Sequence, residues 1–159
     1  MSLRYIYGRE APAVLDFITK RAPHMRRELW PANTMTLAVL DENDFLIAGI
    51  AWHYYNREQG TIHLSSAARS PRFGTLETIW RAYSYPFNEL KCQQVLHLTP
   101  YRNNRAIDIL KRLGCWYQPF PRAFGRYRDG VMLGLFEEVW RQRWEDRYVR
   151  SLRRHAHAA

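Results

Sequence analysis

Residues 69–75 read Arg-Ser-Pro-Arg-Phe-Gly-Thr, with two arginines, a proline and a glycine directly ahead of an amphipathic run. A turn that opens into a helix aims backbone N–H groups and the positive end of the helix dipole at one spot, and so makes an anion cradle. The plainer alternative is a solvated loop whose glycine permits a sharp bend. Further along, Asn103 stands at the mouth of RNNRAIDILKRLG (102–114). Its amide can cap the orphan N–H groups of a helix and reach toward a ligand arm, or it can cap and do no more. Before both lies GTIHLSSAA (60–68), where His63, with Ser65 and Ser66 nearby, is a candidate proton acceptor. An imidazole titrating near ~6.5 is a serviceable base at neutral pH, although a histidine in a strand is often only a hydrogen-bonded surface group. Glu77 is a second candidate base, or it complements the dipole of the helix it begins.

These residues need elements to hold them. LRYIY (3–7) reads as a short strand. Pro12 suits a first helical turn, and Ala13, Val14, Phe17 and Ile18 mark an apolar face to about residue 20. Residues 21–33, with Pro23 and Pro31, form a loop or short helix. TMTLAVLD (34–41) and LIAGIAWHYY (46–55) make a hairpin around the turn-rich ENDF, and 60–68 follows as a third strand. Leu76, Ile79, Trp80, Tyr83 and Phe87 then recur at helical spacing, which predicts a helix over 75–89. QQVLHLTP (93–100) is strand-like. A helix ending at Gly114 as a left-handed residue comes next, with Ala106, Ile109, Leu110 and Leu113 facing the core. WYQPFPRAF (116–124) is extended, and Asp129-Gly130 reads as a turn before a strand at 131–137. The crossover from strand 60–68 through the helix to strand 93–99 should be right-handed and place those strands parallel. The expected fold is α/β: a mixed, mostly antiparallel sheet with a central parallel strand pair and helices on both faces.

Composition bounds the function classes. The chain has 159 residues, 47% of them hydrophobic, which suits one domain with one core and excludes a disordered chain. No run approaches the roughly 18 apolar residues of a membrane span. MSLRYIYGRE lacks the apolar core of a secretory signal, and Cys92 and Cys115 form no CxxC pair, so free thiols and a cytoplasmic location are expected. The net charge is +9, and only Lys20, Lys91 and Lys111 are lysines. Such an arginine surplus favours bidentate contacts to phosphates or carboxylates.

NNRAIDILKRLG resembles the Asn-x-x-Ala-x-x-Leu-Tyr-x-x-x-Gly-Phe signature of the GCN5-related N-acetyltransferase (GNAT) superfamily, with Asn103, Ala106, Ile109 and Gly114 in register. FGTLETIWRAYSYPFNELKCQQVLHL (73–98) is similar to the loop-helix-strand of its ribosomal-protein acetyltransferase branch, Glu77, Phe87 and the Leu90 region included. RAFGRYRDGVMLGLFEEVW matches that branch's closing hairpin in style. Together these stretches cover roughly residues 34–140 of the chain.

The resemblance implies acetyl-coenzyme A as acyl donor and an amine as acceptor. It places the diphosphate on the Gln/Arg-x-x-Gly-x-Gly/Ala loop, here Arg69 to Gly74, with Arg72 where the family has its first Gly. It implies cofactor contacts from Ala67, Ala68, Arg69, Arg72, Phe73, Gly74, Thr75 and Asn103, and an oxyanion donor from backbone near Ser66–Ala68. His63, Ser66 and Glu77 take the catalytic roles. The tyrosine that protonates the departing thiolate in many members is Leu110 here; Tyr101 and Tyr117 are the nearby hydroxyls.

The end of the chain, EEVWRQRWEDRYVRSLRRHAHAA, repeats Trp140, Trp144, Tyr148 and Leu152 beside a stripe of Arg143, Arg147, Arg150 and Arg154. It is set apart as a basic, helical tail over 141–159, after a GNAT-like domain over 1–140. The aromatics either pack on the body or meet a partner, and the arginines suit nucleic acid or an acidic protein. His155-x-His157 offers two ligands, too few for a metal shell, and no metal is expected. The expected activity is acetyl transfer to a primary amine on a protein N-terminus, a lysine or a small molecule. The alternative is a GNAT-fold binding or structural protein, like small basic proteins of bacteriophages. The acceptor and the oligomeric state are left open, a homodimer included.

Overall fold

The computed structural model describes residues 2–22, 24–26 and 30–158, with the backbone alone at 157 and 158. Pro23 and the side chain of His157 therefore lie outside the described residues. Seven strands form one sheet: β1 (Arg4–Arg9), β2 (Met35–Leu40), β3 (Leu46–Asn56), β4 (Thr61–Ala68), β5 (Gln94–Pro100), β6 (Trp116–Phe120) and β7 (Gly130–Phe136). Their order across the sheet is β1-β2-β3-β4-β5-β7-β6. Every neighbouring pair is antiparallel except β4 and β5, which run parallel as the crossover requires. No described helix is long and apolar enough to cross a membrane.

Alternation along the strands assigns the two faces. Ala38 and Ala51 turn to α1 (Pro12–Arg21), where Val14, Leu15 and Ile18 are buried. Gly49 sits beneath the same helix, and a Cβ there would lie 2.9 Å from Val14 Cγ1, so only glycine admits this approach. Their neighbours Leu37, Ile50, Trp52, Ile62 and Leu64 turn the other way, into the main core with Tyr83, Phe87 and Trp140. The helices are α2 (Leu76–Ser84), α3 (Asn104–Leu113), α4 (Glu137–Trp140) and α5 (Asp146–Ala158).

Three sequence expectations are corrected. The helix expected over 75–89 is α2 followed by a wider π turn, Tyr85–Glu89. Pro86 is the reason: it has no N–H to give the Ala82 carbonyl four residues back, and its ring crowds that oxygen. Trp52 Nε1 donates to the Ala82 carbonyl instead, at 2.9 Å. Asp129-Gly130 is not a two-residue turn. β6 and β7 are joined by the long loop 121–129, which Asp129 Oδ1 braces by accepting from Arg122 N at 2.7 Å. In α3 the fully core-facing residue is Ile107, while Ile109 is 44% exposed and lines a cleft with Ala106 and Leu110. Gly114 ends α3 as expected, left-handed at φ 105°, and a Cβ would strike Val139.

The end of the chain packs on this body. Trp140 is completely buried against Phe87, Tyr148 stacks on Trp80 at 4.7 Å, and Trp144 Nε1 donates to the Leu113 carbonyl at 2.9 Å. Arg141 joins Glu137, Glu145 and Asn88. Leu152, the next apolar residue of the stripe, is exposed.

Candidate active site

β4 and β5 are paired only over Thr61–His63 and Gln94–Leu96. Beyond that point they part, and a cleft of about 610 Å³ opens between Leu64–Ala68 on one side and His97–Pro100 on the other. The register with β3 fixes which backbone groups face it. Arg69 N donates to the Ile47 carbonyl at 2.8 Å, so in the alternating antiparallel pattern Ala67, Ser65 and His63 also bond toward β3. Leu64, Ser66 and Ala68 must then turn their N–H and C=O groups toward β5. At Ser66 and Ala68 the partner strand has left.

His97 stands at the point of parting. Its Nε2 lies 3.0 Å from the Tyr83 hydroxyl, and its ring also bonds the main chain of Leu64. Burial holds this imidazole neutral, with its pKa pushed down to about 4 against the Leu64 bond, which favours the proton; His63 adds a smaller depression.

Asn103 caps α3 on the cleft wall. Its Oδ1 accepts from Ala106 N at 3.4 Å and its Nδ2 donates to Thr99 Oγ1 at 3.3 Å. Ser65 and Ser66 both line the cleft. Ser65 Oγ is 2.9 Å from His53 Nε2, a partnership across β3 and β4 that the sequence did not single out. His53 is buried, and its pKa falls to about 3 through desolvation first and then the nearby His63 and His97. Its Nδ1 is buried without a hydrogen-bond partner.

The cleft does not stop at the sheet. Ile18, Arg21, Ala22, His24 and Met25, from the end of α1 and the segment after it, line it from the α1 face. The ring of His24 meets Phe124 of the 121–129 loop edge-on at 5.0 Å. The segment after α1 and the 121–129 loop thus touch at one mouth.

Of the expected residues, Ser66, Ala67, Ala68, Arg69, Phe73 and Asn103 line the cleft together. Others are placed elsewhere. His63 is packed among His53 and Tyr54, and burial lowers its pKa. Glu77 is held by Arg81, whose Nε and Nη2 reach one carboxylate oxygen at 3.0 and 2.9 Å. Arg72 points to Glu42, 3.8 Å away, beside a second, smaller hollow. Thr75 caps α2, accepting from Thr78 N at 3.1 Å. Gly74 has φ −73°, which any residue adopts. Tyr101 and Tyr117 do not line the cleft, whereas Leu110 does.

The loop before α2 is a 3-10 turn, Pro71–Phe73. Pro71 has no N–H. The Arg72 amide donates to Ser70 Oγ at 3.2 Å, that of Gly74 to the Pro71 carbonyl at 3.1 Å, and that of Thr75 to the Phe73 carbonyl at 2.8 Å. These amides are turned to the chain itself. The positive charge on the cleft wall comes from Arg69, from Arg105 across the opening and from Arg21 on the α1 side.

The missed residues left little trace in the sequence. His53 and Ser65 belong to different strands, and their pairing depends on a register that follows from the hairpin only once its turn is fixed. His97 had the signal of a lone polar residue in an apolar strand.

No family model and no curated protein matches the sequence. Solved structures do match the fold. Mutant forms of the spermidine/spermine N-acetyltransferase SpeG from Vibrio cholerae superpose with a TM-score of 0.68 at 16% identity, over 88% of this chain and 99% of theirs. A dodecameric spermidine N-acetyltransferase from the same organism gives 0.66 at 16% identity, over 87% and 95%. A candidate acetyltransferase from T. thermophilus gives 0.65 at 18% identity, over 92% and 94%. The chain has the fold of the GNAT acetyltransferases, with its parallel pair at the centre of a mixed sheet.

Proposed function

We propose that this protein transfers an acetyl group from acetyl-coenzyme A to an amine. The observation that carries the reading is the one-sided parting of β4 and β5, which opens a cleft from the α3 side of the sheet to the α1 side. A donor held on one side and an acceptor entering from the other would meet at Ser65 and Ser66.

Acetyl-coenzyme A supplies an activated thioester and a leaving thiol. The unpaired edge at Ser66 and Ala68 suits an amide-bearing arm, which can bond there as a strand would. The N–H groups of Ser66 and Ala68 can then donate to an acyl oxygen that gathers charge. Asn103 and Arg105 border the arm's entrance, and Arg69 with Arg105 would meet its phosphates. Charged side chains replace a cradle of loop amides in this reading.

A primary amine with a pKa near ~10.4 is almost wholly protonated at pH 7. Among the described cleft residues no carboxylate or unperturbed imidazole is present to take that proton. His53 stays neutral and can accept from the Ser65 hydroxyl, which leaves the Ser65 oxygen free to accept from the incoming N–H. The amine therefore loses its proton to solvent before it reacts. The expected pH profile of kcat/KM rises about tenfold per pH unit from 6 to 9 with no step near 6.5. A step at 6.5 would assign a titrating histidine base instead.

The direct test is calorimetry with acetyl-coenzyme A, which should show micromolar binding, lost in Ala106→Trp, where an indole would fill the cleft. Absence of binding at millimolar coenzyme would overturn the reading. A second reading, a GNAT-fold protein that binds without catalysing, is favoured by the inward-turned loop amides. Coenzyme binding without thiol release in the presence of amines would support it.

A further inference from the structure

Arginines enter the cleft from both faces of the sheet. Arg69 and Arg105 stand at the end where α3 begins, and a phosphorylated donor would account for them. Arg21 comes from the end of α1, on the opposite face, where no donor phosphate is required. Its guanidinium is fixed in place, 3.8 Å over the Phe17 ring with Nη1 on the Phe17 carbonyl, and it forms no ion pair with a described residue. Arg128, exposed on the facing loop, accepts the Phe124 amide on its carbonyl at 3.0 Å, beside the ring that meets His24, and its charge adds to burial in lowering the His24 pKa.

Both banks of this mouth are basic by sequence. The described residues of 21–33 hold two arginines, Arg21 and Arg26, and no carboxylate, and residues 121–129 hold three arginines and one aspartate. That aspartate, Asp129, is engaged by the Arg122 amide. No carboxylate lies among the described residues that line the cleft. A site for a polyamine needs acidic groups to replace the water around each ammonium, and here an added cation would meet guanidinium groups.

We infer that the acceptor is an amine that carries its own anionic group, a carboxylate or a phosphate a few bonds from the nitrogen, and that Arg21 and Arg128 receive that group. This rests on the transferase reading and names the substrate class of the same site. Recognition of a fixed anion by planar guanidinium groups would also orient the nitrogen toward Ser65.

Four amines decide it: phosphoethanolamine, β-alanine, ethanolamine and spermidine, each assayed for thiol release with acetyl-coenzyme A. An anionic amine should exceed ethanolamine in kcat/KM by about tenfold or more, with spermidine last. Phosphoethanolamine ahead of β-alanine names phosphate, and the reverse names carboxylate. The double variant Arg21→Gln, Arg128→Gln should bring the ratio of anionic to neutral amine toward one. Ethanolamine or spermidine ahead of both anionic amines overturns the inference. If acetyl-coenzyme A binds but nothing is turned over, calorimetric affinities of the four amines for the coenzyme-loaded protein give the same ranking. If acetyl-coenzyme A does not bind, the transferase reading fails by itself, and the ranking on the free protein still tests the anion site.

Discussion

Along their length β4 and β5 are two different structures. Over Thr61–His63 and Gln94–Leu96 they are ordinary neighbours, and the side chains beside the seam, Ile62 and Val95, are buried in the main core. From Leu64 and His97 onward the same strands diverge, and the β4 side chains become small and accessible: Ser65, Ser66, Ala67, Ala68. The paired half stabilises the fold. The parted half leaves backbone donors and acceptors without a strand, which costs stability unless water or a ligand meets them. His97 is the hinge between the two regimes, because its buried ring holds Tyr83 and the Leu64 main chain where strand pairing stops.

That contrast can be tested first with acid. His53 and His97 have folded pKa values of about 3 and 4, below the ordinary 6.5. Below pH 6.5 the unfolded chain binds protons that the folded chain refuses. The stabilisation is therefore complete above pH 6.5 and is lost as the pH falls toward 4, on the order of 3 kcal/mol for each histidine. Urea midpoints measured from pH 7.5 to 4 should fall steeply, and a flat profile from 7 to 5 would contradict the burial of both rings. Next, Ile62→Ala in the paired half should cost about 3 kcal/mol, whereas Ser66→Ala in the parted half should cost less than about 0.5. Equal costs would mean the two halves are not energetically distinct.

A smaller effect is expected at the cleft wall. Asn103→Ala removes a helix cap and should lower stability by about 1 kcal/mol while weakening acetyl-coenzyme A binding. Loss of stability with unchanged binding would reduce Asn103 to a cap. The smallest concerns the loop before α2. Gly74 has an ordinary φ, and a Cβ would touch only the Pro71 carbonyl at 3.4 Å, so Gly74→Ala should leave stability within about 0.5 kcal/mol and leave coenzyme binding intact. A large loss of binding would show that the loop backbone does approach a phosphate.

The parallel pair, the hairpins before it and the left-handed Gly114 were legible because apolar periodicity, turn residues and a helix stop are local signals. The position of the cleft was legible as far as Ser66, Arg69 and Asn103. What could not be read was where strand pairing stops, since β4 has one continuous apolar-to-small pattern through that point. The same gap misplaced His63: its side alternates with Ser66, and only the register shows that it packs among His53 and Tyr54. The inward turn of the Arg72, Gly74 and Thr75 amides was hidden because Ser70 and Pro71 satisfy or delete donors that a Gly-rich loop would leave free. Ile109 was misread because α3 borders an opening on one flank, so an apolar residue there need not be covered.

The hydrogen bond from Trp144 to the Leu113 carbonyl bears on how the protein can be handled. A tag or fluorescent partner fused beyond the final helical turn would hang from an exposed, arginine-bearing stalk and disturb little. A truncation that reaches Trp144 would instead strip the Leu113 carbonyl, at the end of α3, of its indole donor. Since α3 is about 15 Å long and Asn103 sits at its other end, fraying started by a careless deletion would travel to the cleft entrance.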